Sequence, residues 1–211
     1  MFKNLLNPNN ALMVSMSWIS DCIFLSLFWV LGCIPVVTMG ASCAALYDSA
    51  YRGFRRGEKN SWQRFGRVFR DNWKSGIVPT AVFLAAVGIL GKVLIALWNS
   101  AVAGSLSWMA FSGGAFVGVL ILGVLSILFP MLSRFENSFA GLMKNTVLIG
   151  LANLPRTVAL GIVNALAAFV CIRYVLPAFF LPALAALIGS LFIEPMFKPY
   201  MPEEPVPEAA E

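Results

Sequence analysis

The sequence predicts an all-α fold: a polytopic transmembrane helical bundle of about five spans, with cytoplasmic amphipathic interfacial helices. Three observations predict it. The chain is 59% hydrophobic, with a mean hydropathy of +0.81. Only 12% of its 211 residues are charged, against roughly 25% in a soluble domain. The charges are also segregated, which leaves apolar runs of about the 20 residues that a helical crossing needs. Helices are required because an unpaired backbone group in lipid costs several kcal/mol. The apolarity is continuous rather than alternating, which excludes a membrane β-barrel.

The runs define the expected elements in order. The first span covers 17–39 and holds one charge, Asp21. The second, 77–98, holds Lys92, and the third, 108–132, holds none. The stretch 155–197 is too long for one crossing and is interrupted by Arg173, with Pro177 just after. It divides into spans 155–172 and 175–193 joined by a very tight turn; a four-span version with one re-entrant segment is the competing count. Residues 1–198 form one transmembrane domain. The Pro- and Glu-rich tail, 199–211, is too poor in apolar residues to fold. No cleavable signal peptide is expected, because only Lys3 precedes a run that is itself long enough to span. The four-residue stretch Gly40-Ala41-Ser42-Cys43 has the small residues of a lipoprotein cleavage site, but Gly40 stands where leucine is usual.

Between the first two spans lies a basic loop, 40–76, with Arg52, Arg55, Arg56, Lys59, Arg64, Arg67, Arg70 and Lys74. The positive-inside rule places this loop in the cytoplasm. Arg134, Lys144, Arg156 and Lys198 then lie on the same side, with Lys3 and Arg173 opposite. The expected location is therefore a cell membrane, crossed several times, with the N-terminus outside and the C-terminus cytoplasmic. Within the loop, a helix around 44–56 is expected to continue the first span until Gly57 ends it. Next, Trp62, Phe65, Phe69 and Trp73 recur in steps of three and four, and Arg64, Arg67, Arg70 and Lys74 do the same on another face. That pattern predicts a helix lying in the membrane surface, with aromatics at headgroup depth and cations on anionic lipid or an acidic partner. Beside so many apolar runs the same basic-aromatic mixture does not predict nucleic-acid binding.

An echo follows. Arg64-Phe65-x3-Phe69-x4-Lys74 recurs as Arg134-Phe135-x3-Phe139-x4-Lys144. Each copy precedes the pattern P-x-x-V-x-L, at Pro79 and at Pro155. Each would be a cytoplasmic interfacial helix, a proline and an outward-running span. Duplication is one reading. The other is that proline is common at a helix start in any case.

Chemistry is sparsely provided for. The chain has no histidine, and hence no histidine base and no Ser-His-Asp triad. It has no HExxH, P-loop or GxGxxG motif. Cys22, Cys33, Cys43 and Cys171 show no metal-binding spacing and read as small buried hydrophobes. No catalytic residue, cofactor or metal is expected. The polar intramembrane residues are Asp21, Lys92 and Asn164. Ionisable groups at such depth are functional candidates. Here Asp21 and Lys92 either pair or remain interfacial, and Asn164 is expected to bond a neighbouring helix. In the third span, Gly114 and Gly118, with Gly113 and Gly123 nearby, should form a close packing face, within the chain or against a partner.

The run Phe28-Trp29-Val30-Leu31-Gly32-Cys33-Ile34-Pro35-Val36-Val37-Thr38-Met39-Gly40-Ala41-Ser42, followed by Ala45-Leu46-Tyr47, resembles the YesL family of bacterial membrane proteins. The aromatic-basic stretch 65–73 and the segment from Lys144-Asn145 to Leu154-Pro155 extend that resemblance over most of the chain. The resemblance implies an accessory protein of a carbohydrate importer of the ATP-binding cassette (ABC) class, from a family without an established biochemical activity. Its partners would be the lipid bilayer and the importer's permease and ATPase subunits. ABC permeases also carry a cytoplasmic coupling helix with the pattern E-A-A-x3-G-x9-I-x-L-P. Glu136 and Leu154-Pro155 fall at that spacing, whereas Asn137-Ser138, Leu142 and Ala152 depart from it. The leading expectation is an accessory subunit that assists assembly, gating or regulation, meeting its partner through the glycine-bearing third span and the two interfacial helices. The alternative is a stand-alone small-solute transporter, acting as a homo-oligomer with Asp21, Lys92 and Asn164 along its path.

Overall fold

The computed structural model describes residues 11–58, 60–104, 108–135, 138–174 and 176–200, with backbone alone for 11–17. Among them are eight α-helices and no strand. In order these are α1 (Ala11–Cys33), α2 (Met39–Ala50), α3 (Ser61–Asn72), α4 (Ile77–Val102), α5 (Trp108–Arg134), α6 (Phe139–Ala152), α7 (Leu154–Arg173) and α8 (Leu181–Phe197). The chain is an all-α, polytopic bundle. Four helices are long and apolar enough to cross a membrane: α4, α5, α7, and α8 with its continuation to Tyr200. The last two lie within the stretch read as two spans. They are separated by a 3₁₀ turn at Leu176–Phe179 rather than by an immediate reversal.

The first expected span is not one helix. Pro35 has no N–H to continue the ladder, and α1 stops at Cys33. The Thr38 hydroxyl donates to the carbonyls of Gly32 at 2.7 Å and Pro35 at 2.9 Å, tying up acceptors that the helix end leaves open. The chain then folds back. Trp18 meets Phe54, and the Trp29 indole N–H donates to Cys43 Sγ at 3.3 Å, so α2 runs antiparallel along α1. The helix expected around 44–56 therefore does not extend the first span. At 23 residues, α1 is still about 34 Å long.

Helix α2 occupies the middle of the bundle. Every residue from Gly40 to Ala50 except Cys43 is buried, against α1, α3, α5 and α8. Its sequence explains this: Gly40, Ala41, Ser42, Ala44, Ala45, Ser49 and Ala50 are small enough to admit close neighbours on all sides. It passes into a π-helical turn, Tyr51–Arg55, and Gly57, at φ +68, ends the segment as expected. Most of the 40–76 stretch is thus packed structure rather than a loop over the surface.

Helix α3 returns along α2, from the contact of Gly53 with Ser61 to that of Ala41 with Gly76. Thr80 secures the elbow into α4. Its hydroxyl accepts from the Gly40 amide at 2.9 Å and donates to the Gly76 carbonyl at 2.6 Å. Helix α4 lies against α5 along Leu90, Leu94 and Leu97, which meet Gly118 and Gly114. The closest crossing is α5 on α7, where a Cβ on Gly123 or Gly161 would strike the backbone carbonyl of Thr157 or Val119. Small residues at such crossings replace the hydrophobic drive that lipid cannot supply. The core runs from Ala44 and Tyr47 through Ile127, Leu128 and Met131 to Ile193, Met196 and Phe197. Residues 201–211, most of the expected disordered tail, lie outside the described residues; Lys198–Tyr200 continue α8 as a 3₁₀ turn.

Candidate functional site

The densest polar constellation sits where α2, α3, α5 and α8 converge. Asp48 of α2 is only 2% exposed and is shared by three arginines. Arg52 lies one turn on, with Nε at 3.3 Å. Arg64 reaches in from α3 to the other carboxylate oxygen. Arg134, the last residue of α5 and itself 7% exposed, brings its Nε to 3.6 Å. Glu58 bridges Arg52 and Arg64 at 3.3 and 3.2 Å. On the other side, Arg134 donates to Glu194 of α8 at 2.8 Å, and Tyr47 donates to the same oxygen at 2.9 Å. The Arg134 guanidinium also lies 4.5 Å from the Tyr51 ring centroid, a cation–π contact.

Three carboxylates thus meet three guanidiniums, and the charges balance. Burial, with the Glu194 carboxylate beside it, pushes the Tyr47 phenol above its usual range, so the hydroxyl remains a donor. Most donors and acceptors in the cluster are used within it, although Arg134 Nε makes only the longer ionic contact and no hydrogen bond. Such a network fixes helix positions; it holds no free acid–base pair aimed at a substrate.

The residues singled out from sequence fall differently. On α3, Phe65 is buried and stacked on Phe28 of α1 and on Phe69, whereas headgroup depth was expected. A covering helix was available, because α1 and α2 form a hairpin under α3. Trp62 and Trp73 remain exposed. Arg67, Arg70 and Lys74 also point outward, Lys74 over the Trp73 ring, while Arg64 is spent on Asp48. Gly114 and Gly118 pack within the chain, against α4. Phe135 meets Phe197 edge-on. Phe139 and Lys144 on α6 are exposed, and Glu136 lies outside the described residues.

The intramembrane polar trio is not assembled. Lys92 is exposed on α4 and Asp21 half-buried on α1, and among the described residues no ion pair joins them. Asn164 bonds its own helix, donating to the Leu160 carbonyl at 2.9 Å, because the wall it faces is a cavity rather than a neighbouring helix. Sequence reasoning missed Asp48, Arg134 and Glu194 as a set. Two of them carry a signal, since Arg134 and Glu194 lie one or two residues beyond the apolar runs 108–132 and 175–193.

No curated protein and no solved structure matches the chain. One family does match, described as a protein of unknown function, DUF624, over residues 22–92. That region runs from the α1–α2 hairpin through α3 into α4 and contains Asp48, Arg52, Glu58 and Arg64, so the chain is similar to DUF624 proteins across the hub of its charge network.

Proposed function

We propose that this protein is an accessory integral membrane subunit of YesL type, which associates with a carbohydrate ABC importer and assists its assembly, gating or regulation. The resemblance supplies the importer; the carrying observation is the outer face of α6. Lys144, Val147, Leu148, Leu151 and Ala152 form an uncovered, mostly apolar face with a single cation. The opposite side of the helix, Leu142, Thr146, Ile149 and Gly150, is buried. Leu142 is the position at which the permease coupling pattern has glycine. It is core here, packed with Met131 and Ile149. Contact with an importer therefore runs through the other side of α6, which the positive-inside rule puts at the cytoplasmic edge.

The buried charges, Asp48 and Arg134, are committed to holding helices together, which favours a subunit over a transporter with its own polar path. The test is purification of the tagged full chain in mild detergent, with quantitation of the proteins that accompany it. Recovery of an importer permease or ATPase, reduced at least fivefold by Leu148→Asp but not by Lys92→Glu on α4, is the expected result. Recovery free of any such component overturns the proposal.

A further inference from the structure

A cavity of about 380 Å³ lies inside the bundle, beside the charge network. Its floor is buried: Leu46, Phe129, Pro130, Leu160, Gly189 and Ile193. Its mouth is framed by Trp29 and Met39, by Phe83 and Val87 of α4, and by Asn164, Ala168 and Cys171 of α7. These frames do not close on one another, because α4 packs along neither α1 nor α7. The surface around the opening is apolar and exposed: Val36 and Val37 after α1, Phe169 and Ile172 on α7.

Four polar side chains on the wall, Trp29, Tyr47, Ser126 and Asn164, each already donate a hydrogen bond. The Trp29 indole N–H donates to Cys43 Sγ, and the Tyr47 hydroxyl to Glu194. Ser126 donates to the Leu122 carbonyl at 2.6 Å, and the Asn164 Nδ2 to the Leu160 carbonyl. A buried water needs two to four polar partners, which this wall does not offer; an apolar void of about 150 Å³ stays dry and takes up benzene. By the same ratio this cavity has room for on the order of fifteen carbons. It is apolar and opens sideways between helices that are long and apolar enough to cross a membrane.

The geometry points to a binding site for one acyl chain of a membrane lipid, entering between α4 and α7 and reaching the Leu46–Phe129–Ile193 floor. Because Tyr47 both lines the cavity and bonds Glu194, the chain's terminal methyl end abuts the charge network. This inference is independent of the importer.

The test uses the full chain in phosphatidylethanolamine–phosphatidylglycerol vesicles that contain a phosphatidylethanolamine with a diazirine on one acyl chain. After illumination, labelled residues are mapped by peptide mass spectrometry. The expected result is label on the floor residues as well as on the outer face of α4 at Ile89 and Ile95. Ala168→Trp, which plugs the mouth, should lower floor labelling at least fivefold and leave the outer face unchanged. If that variant does not fold, Val87→Trp on the opposite rim serves the same purpose. A floor left unlabelled in the wild-type chain overturns the site, as does floor labelling that a folded plug variant does not change. Floor labelling by a water-soluble diazirine instead of the lipid would show an aqueous path and overturn it equally.

Discussion

Helices α3 and α6 carry the two copies of one sequence pattern, and they are used in opposite ways. In the first copy, Arg64, Phe65 and Phe69 all lie on α3. In the second, Arg134 closes α5, and Phe139 opens α6 after Ser138, whose hydroxyl caps the new helix. A spacing that reads as one helical face in the first copy therefore straddles a break in the second. The consequence is physical. Helix α3 buries Phe65 of its aromatic face on α1 and leaves Trp62 and Trp73 outside, whereas α6, apolar nearly all round, buries one side on α5 and leaves the other bare. The two arginines of the echo nevertheless converge on a single acceptor, Asp48. A shared motif marks shared chemistry here without marking a shared helix.

The strongest way to break the comparison is to remove that acceptor. Asp48→Ala leaves three guanidiniums without their common carboxylate, two of them joined only to Glu58 and the third to Glu194. Truncating one partner of a buried ion pair costs about 3–5 kcal/mol. Unfolding of the detergent-solubilised protein, followed by tryptophan fluorescence, should show a loss of that order. On α6, Lys144→Ala removes an exposed cation, and its effect should stay within about 0.5 kcal/mol. Equal effects from the two changes would refute the assignment of Asp48 as the hub.

The aromatic residues sharpen the contrast at a smaller scale. Phe65 is 5% exposed and Phe139 41% exposed. Phe65→Ala opens a void between α1 and α3 and should destabilise by about 3 kcal/mol. Phe139→Ala should cost well under half as much by the same unfolding assay, because nothing packs over its outer edge. A larger effect at Phe139 would mean that α6 is covered in the isolated protein.

The all-helical class and four long apolar helices were legible because lipid permits few alternatives to long apolar helices. The reversal after α1 was not, although Pro35 marks it. Periodicity alone extends a run through a proline when the flanking residues remain apolar, as Ile34, Val36 and Val37 do here. The burial of α2 had a trace in its unbroken series of small residues, but its seven basic followers up to Arg70 made the whole stretch resemble a surface loop. The ion network could not be read at all from local spacing, since its members come from α2, α3, α5 and α8 and meet only through the tertiary fold. Arg134 ends α5 and Glu194 lies in the last turn of α8, places where a single charge beside an apolar run draws no notice. Of the two readings open for Asp21 and Lys92, the unpaired one matches the described ion pairs, since similar depth in a membrane does not make two helices neighbours.

The finest distinction between the two short helices lies in their glycines. Gly66 of α3 has nothing within 4 Å of where a Cβ would stand. Gly66→Ala therefore adds helix propensity without a clash and should stabilise by about 0.5–1 kcal/mol. At Gly150 of α6, a Cβ would lie 3.0 Å from Cγ2 of Val124 on α5. Valine in a helix is held to one dominant χ1 rotamer, so the methyl has little room to withdraw. Overpacking of this kind costs about 1–3 kcal/mol, enough to offset the same gain in propensity. Gly150→Ala should lower the unfolding midpoint while Gly66→Ala raises it. If both raise it, α6 sits less tightly on α5 than the Gly150–Val124 approach requires, and the division between its buried and bare sides loses its basis.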